Sequence, residues 1–226
     1  MSDDTSTYSG TLTRVEDYFD RSATKVWERL TSDAPVSRIR QTVREGRDKM
    51  RALMLSRLPA DLRGARVLDA GCGAGQMTAE LAARGADVVA VDISPALVNI
   101  ALARLPAEHA RRVSFASGDM TAAEHGRFDH VIAMDSLIYY GTTDIAAALD
   151  RLGERTDQAV VFTVAPKTAF LMTFWTMGKL FPRADRSPTM VPHAFKTLDR
   201  ATSGKLVKVG RVSRGFYISE CLEYRA

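Results

Sequence analysis

A chain of 226 residues, 46% of them hydrophobic, has material for one large core and leaves no room for a second catalytic domain. The formal charge of +4, from 31 basic against 27 acidic residues, favours anionic partners, but with no basic patch interleaved with aromatics it gives no support to nucleic-acid binding. Two cysteines exclude a disulfide scaffold and fit a reducing cytosol, the polar, acidic N-terminus does not read as a signal peptide, and no run approaches the roughly 18 apolar residues of a membrane span, which leaves peripheral membrane contact open.

Residues 1–12, rich in Ser, Thr and Asp, read as disordered. Two helices are expected before the first strand, one from about Leu12 to Leu30 and one starting near Pro35, a residue suited to a first helical turn. In the second, Val36, Ile39, Val43, Met50, Leu53 and Met54 recur at helical spacing as an apolar stripe. Arg40, Arg44, Arg47 and Arg51 share a neighbouring face, readable as a solvated surface or as guanidinium groups for a substrate carboxylate.

Val67-Leu68-Asp69-Ala70-Gly71-Cys72-Gly73-Ala74-Gly75 is a short apolar run that ends in an acid and three alternate glycines, a strand entering a tight turn at a helix start. Its spacing, D-x-G-x-G-x-G, departs from the dinucleotide fingerprint G-x-G-x-x-G. A helix from Gln76 to Arg84 leads to a second buried strand, Asp87 to Asp92, whose terminal carboxylate lies 23 residues past Asp69, where an acid is placed to bridge ribose hydroxyls. The strand Val113 to Ala116 runs to Gly118-Asp119-Met120, and a fourth, Phe128 to Met134, opens into Asp135-Ser136-Leu137-Ile138-Tyr139-Tyr140. A fifth strand spans Gln158 to Ala165 and is followed by an apolar, aromatic stretch, Phe170 to Met177. A helix near His193 to Thr202 precedes two closing strands, Lys205 to Val212 and Phe216 to Tyr224. Alternating strand and helix imply a parallel sheet with right-handed crossovers. The four histidines are scattered and form no metal-ligand cluster.

The glycine loop resembles motif I of class I S-adenosylmethionine (SAM) methyltransferases. That resemblance implies a Rossmann-like α/β fold whose seven-stranded, mostly parallel sheet ends in an antiparallel hairpin. It divides the chain into a tail and helical lid over residues 1–58 and a SAM-binding domain over residues 59–226. SAM would be the methyl donor, with no protein-bound metal. The implied cofactor residues are Asp69, Gly71, Gly73, Gly75, Asp92, Ile93, Asp119 as acceptor for the adenine amino group, Met120 packing on the ring, and Asp135.

Further segments, Tyr18-Phe19-Asp20, Trp27-Glu28-Arg29-Leu30, Arg44-Glu45-Gly46-Arg47, Phe162 to Lys167, Gly178 to Pro182 and Phe216-Tyr217-Ile218-Ser219, resemble in order the magnesium protoporphyrin IX O-methyltransferases of bacteriochlorophyll and chlorophyll synthesis. The resemblance implies methylation of one propionate of Mg-protoporphyrin IX, with possible hand-over from the magnesium chelatase porphyrin-binding subunit and a cytoplasmic protein open to peripheral contact with the photosynthetic membrane. A propionate is ionised at pH 7, so positioning matters more than a general base. Tyr139 is the candidate catalytic donor, with Tyr140 beside it. Arg40, Arg44 and Arg47 would hold the second propionate, Trp27, Phe170, Phe174, Trp175 and Met177 would line an apolar slot, and His193 would be an axial ligand of the substrate's magnesium. Chlorophyll-type relatives carry histidine at the place of Tyr139 and tyrosine at that of Thr31. Rival readings are a methyltransferase for a quinone or free carboxylic acid and a non-catalytic tetrapyrrole carrier.

Overall fold

In β1 (Arg66–Ala70) successive side chains go to opposite faces of the sheet, Val67 into one apolar cluster and Leu68 into the other, and all four residues after Arg66 are buried. A strand buried on both faces needs helices on both, which is why it reads as a continuous apolar run. The computed structural model describes residues 8–18, 37–168, 171–172 and 190–226. After α1 (Tyr8–Tyr18) and α2 (Arg38–Leu55) the chain alternates β1, α3 (Gln76–Ala83), β2 (Asp87–Asp92), α4 (Pro95–Arg104), β3 (Val113–Ser117), β4 (Phe128–Ala133), α5 (Thr142–Gly153) and β5 (Thr156–Val164). It ends in α6 (Phe195–Ala201), β6 (Lys205–Arg214) and β7 (Tyr217–Arg225).

The seven strands lie in the order β3-β2-β1-β4-β5-β7-β6. β1 pairs in parallel with β2 and β4, β2 with β3 and β4 with β5, whereas β7 runs antiparallel to both β5 and β6. The expected Rossmann-like sheet with its antiparallel last strand is therefore the observed one. On one face Ile145, Leu149 and Leu152 of α5 and Leu198 of α6 pack against Leu68, Val131, Phe162 and Leu222. On the other, Met50 and Met54 of α2 and Met77 and Leu81 of α3 cover Val67, Val88, Ile132 and Val161. The edge strand β6 alternates exposed Lys and Arg with few buried residues, which protects an open edge from pairing with other chains.

Four expectations change at the N-terminal end. Residues 8–12 are helical rather than disordered, because Thr11 and Val15 of α1 are buried, Val15 against Leu97. The second helix starts at Arg38, capped by Ser37, whose hydroxyl accepts from the Arg40 amide at 3.4 Å; Pro35, Val36 and the remainder of the first expected helix lie outside the described residues. Ile39 is 58% exposed, since the apolar stripe engages the sheet only from Val43 onward. The stripe beyond it makes α2 part of the core, with Met50 and Met54 at 0% exposure, so its place is beneath β6 and β7 and not in a separate lid.

Candidate active site

The order of strands reverses between β1 and β4, and the loops leaving the carboxyl ends of β1, β2, β3 and β4 meet there, where open α/β sheets bind ligands. They surround a cleft whose open space, solvent included, is about 690 Å³. A second space of about 450 Å³ adjoins it and shares Arg47, Gly71, Gly73, Leu97 and Met134.

Backbone amides hold the glycine loop to β2. Gly71 and Cys72 both donate to the Val91 carbonyl, at 2.8 and 3.0 Å, and the Gly73 amide donates to Asp92 Oδ2 at 2.8 Å. Gly71 and Gly73 adopt φ of +85° and +53°, left-handed backbone that L side chains rarely take. At Gly71 a β-carbon would also collide with Ser136, whereas at Gly73 it would meet open space. Gly75 lines neither space; it faces Ala101 of α4 and serves the packing of α3, so it does not belong with the ligand-facing residues.

Asp92 Oδ1 accepts from the Ser94 amide at 2.9 Å, so its carboxylate ties β2 to the glycine loop on one side and to the start of α4 on the other while facing the cleft beside Ile93. Ser94 in turn caps α4 by accepting from the Leu97 amide, ahead of Pro95 at the first turn. Asp69 faces the second space only. It accepts from Thr78 Oγ1 at 2.5 Å and is 1% exposed; burial, reinforced by the charge of Asp92, pushes its carboxyl up to about 7.

Asp119 Oδ1 accepts from the Thr121 amide and hydroxyl at 2.8 and 2.9 Å and from the Tyr8 hydroxyl at 2.7 Å. Tyr8 stacks on Tyr140 with ring centroids 5.0 Å apart, and Leu12 and Val15 extend this roof, so α1 covers the half of the cleft that holds Asp119 and Met120. Asp135, at φ +56°, is gripped by Arg47 Nη1 at 2.5 Å, by the Tyr217 hydroxyl at 3.1 and 3.3 Å, and by Thr163. Tyr139 lines the same wall, and burial, with the negative charge of Asp135, pushes its phenol up, so it stays a neutral donor.

Of the expected site residues, Gly71, Gly73, Asp92, Ile93, Asp119, Met120, Asp135, Tyr139, Tyr140 and Arg47 thus converge on one cleft. Arg40 is exposed, and neither it nor Arg44 lines either space; Arg51, on the same stripe, lines the second. His193 is corrected as an axial ligand. It is 4% exposed, its Nε2 lies 3.0 Å from the Tyr140 carbonyl and its Nδ1 3.2 Å from Thr142 Oγ1, so both ring nitrogens are engaged in pinning the segment after β5 to the β4 loop. Burial lowers its pKa. Trp27, Phe170, Phe174, Trp175, Met177 and Thr31 lie outside the described residues. Tyr8, Leu97, Ser136 and Tyr217 were not expected at the site. For Tyr217 the signal was its place in the Phe216-Tyr217-Ile218-Ser219 segment, and for Ser136 its place one residue after a strand-end acid.

Residues 133–226 match the family model described as the magnesium-protoporphyrin IX methyltransferase C-terminus, and residues 67–157 match a methyltransferase domain. The magnesium-protoporphyrin O-methyltransferase of Rhodobacter capsulatus is 64% identical over 221 residues, 97% of this chain and 99% of that protein. Crystal structures of magnesium protoporphyrin IX methyltransferase from Synechocystis PCC 6803 with bound SAH and with bound SAM are similar in fold, with TM-scores of 0.79 and 0.75. They share 28% and 25% identity with this chain, covering 95% and 96% of it and 99% and 97% of their own lengths. Similarity of this extent, joined to a cleft at the carboxyl ends of β1 to β4, means that the chain belongs to the magnesium-protoporphyrin O-methyltransferase family.

Proposed function

We propose that this protein transfers a methyl group from SAM to a propionate carboxylate of Mg-protoporphyrin IX, giving the monomethyl ester and S-adenosylhomocysteine (SAH). The observation that carries the reading is 64% identity to a magnesium-protoporphyrin O-methyltransferase across nearly the whole chain, on a fold whose cleft holds Asp92 and Asp119 at successive strand ends. Asp92 suits the ribose hydroxyls, Asp119 and Met120 the adenine, and the second space, with Asp69, Arg47 and Arg51, a zwitterionic amino-acid end. SAM when bound supplies an electrophilic methyl group on a sulfonium.

The remaining work falls to side chains that orient an already ionised propionate. A bidentate arginine on the attacking carboxylate would occupy its lone pairs. Arg47 is instead committed to buried Asp135, and the neutral phenol of Tyr139 can donate one hydrogen bond without cancelling the nucleophile's charge. Tyr140, beneath Tyr8, borders the same volume. The apolar slot for the porphyrin ring rests on the resemblance, as does delivery by the magnesium chelatase porphyrin-binding subunit, which predicts faster turnover from the loaded subunit than from free porphyrin. Among the described residues no helix is long and apolar enough to cross a membrane. Peripheral contact with the photosynthetic membrane is supported by exposed Ile39, flanked by exposed Arg38 and Arg40, and by exposed Phe216.

The test is incubation of the purified protein with labelled SAM and Mg-protoporphyrin IX, beside metal-free protoporphyrin, a quinone precursor and a simple carboxylic acid. Label in the Mg-protoporphyrin ester is the expected result. Label in the quinone alone would reassign the acceptor, and label in none would favour a carrier.

A further inference from the structure

We propose that Ser136 contacts ligand through its hydroxyl, donating a hydrogen bond to a carboxylate at the junction of the two spaces; this rests on the methyl-transfer reading and adds a residue to it. The Ser136 Oγ is buried and has no hydrogen-bond partner among the described residues. Folded proteins rarely leave such a group unsatisfied, and each instance calls for an explanation. Here its neighbours supply one. Asp135, just before it, is the one non-glycine residue at positive φ among the described residues, and it is held there by Thr163, Arg47 and Tyr217. Backbone strain fixed by that many contacts belongs to sites where a side chain must be aimed.

The aim is toward the glycine loop. Ser136 lines the cleft and stands so close to Gly71 that no β-carbon fits between them, and Gly71 borders both spaces. Arg47 borders both as well, but its guanidinium is held by Asp135, so the Ser136 hydroxyl is the donor assigned here to a carboxylate at this neck. Serine in that position can donate to an anion without adding charge. The methyl donor's amino-acid carboxylate and the acceptor's propionate share this chemistry.

Ser136→Ala removes the hydroxyl and nothing else. Because an unsatisfied buried hydroxyl costs stability, the ligand-free variant is expected to melt at the wild-type temperature or above it. Calorimetry with SAH, calorimetry with 5′-methylthioadenosine, which lacks the amino-acid end, and methylation kinetics then separate the sources. SAH affinity lowered at least about tenfold with methylthioadenosine unaffected assigns the donor's carboxylate. Unchanged SAH affinity with kcat/KM for Mg-protoporphyrin lowered at least about tenfold assigns the propionate. The proposal is overturned if SAH affinity and kcat/KM both stay within about twofold of wild type, or if melting temperature and both affinities fall together. A wild-type protein that binds SAH yet leaves Mg-protoporphyrin unmethylated would refute the functional reading and with it the propionate assignment, while the two calorimetric arms still decide whether Ser136 meets the donor's carboxylate.

Discussion

At Gly71 and Gly73 the backbone is left-handed, and the two differ in what stands beyond the missing β-carbon. Gly71→Ala adds overpacking against Ser136, about 1 to 3 kcal/mol, to the cost of about 1 to 2 kcal/mol for an L-residue in that conformation. Gly73→Ala carries the second cost alone, but its methyl group would stand in the wall of both spaces. Thermal melts should therefore show the larger loss for Gly71→Ala, whereas for Gly73→Ala the drop in SAH affinity should exceed the drop in stability; the reverse order would mean that the loop is not where ligand lies. Tyr139 invites a different test, because its phenol is asked only to orient. Tyr139→Phe should lower kcat by about ten- to a hundredfold, about 1.4 to 2.7 kcal/mol, with SAH affinity unchanged. Wild-type kcat in that variant would leave packing against Leu97 and Val15 as the role of the ring.

The first helix is the element whose role moved furthest from expectation. Its contacts are with Asp119, Tyr140 and Leu97, so it roofs the half of the cleft that holds Asp119 and Met120, the half proposed for adenine. Removal of residues 1–18 should leave cooperative melting, since the sheet and both apolar layers are built without them, and should weaken SAH binding by about 1 to 3 kcal/mol through the loss of Leu12 and Val15 from the roof. Tyr8→Phe keeps the stack on Tyr140 and loses one hydrogen bond, so its effect should stay below about 1.5 kcal/mol. Unchanged SAH affinity in the truncated protein would free α1 from the cofactor and leave it to the porphyrin. Strands β1 to β4 and helix α3 were legible in the sequence because each of these strands is a short apolar run closed by Gly or an acid, a local signal. The start of the roof was not legible: among the described residues it rests on Tyr8, Leu12 and Val15, and Tyr8 lies in the Ser- and Thr-rich stretch that reads as disordered. The grip on Asp135 by Arg47 and Tyr217 joins residues 88 and 82 positions apart, and only the packing of α2 beneath β7 brings them together.

On the scale of the molecule, the site sits where the strand order reverses between the parallel neighbours β1 and β4, and both Asp69 and Asp92 are carried there by the neighbouring strands β1 and β2. Two carboxylates so close in a buried place cannot both ionise freely, and Asp69, the more buried, takes the strain, with its pKa raised from 3.8 to about 7 mainly by desolvation. A raised folded-state pKa means that the native protein binds a proton that the unfolded chain releases. The stability this contributes is full below about 4 and is lost as the pH rises through about 7. Half-buried His130 and buried His193, whose pKa values are lowered, give the opposite slope over part of the same range, so the observable is the difference between wild type and Asp69→Asn. Asparagine keeps an acceptor for Thr78 and cannot ionise. The melting temperature of wild type relative to the variant should decline from pH 5 to about pH 7 in the ligand-free protein and then level off. A cationic amino group bound in the second space would favour the ionised carboxylate, so saturating SAH should flatten that decline, and binding near pH 6 should release protons, readable by calorimetry in buffers of different ionisation enthalpy. A pH-independent difference between the two proteins would show that Asp69 is ionised throughout and that Thr78 and the loop amides solvate it despite its burial. Declining stability that SAH fails to flatten would keep the raised pKa and move the ligand's amino group away from Asp69.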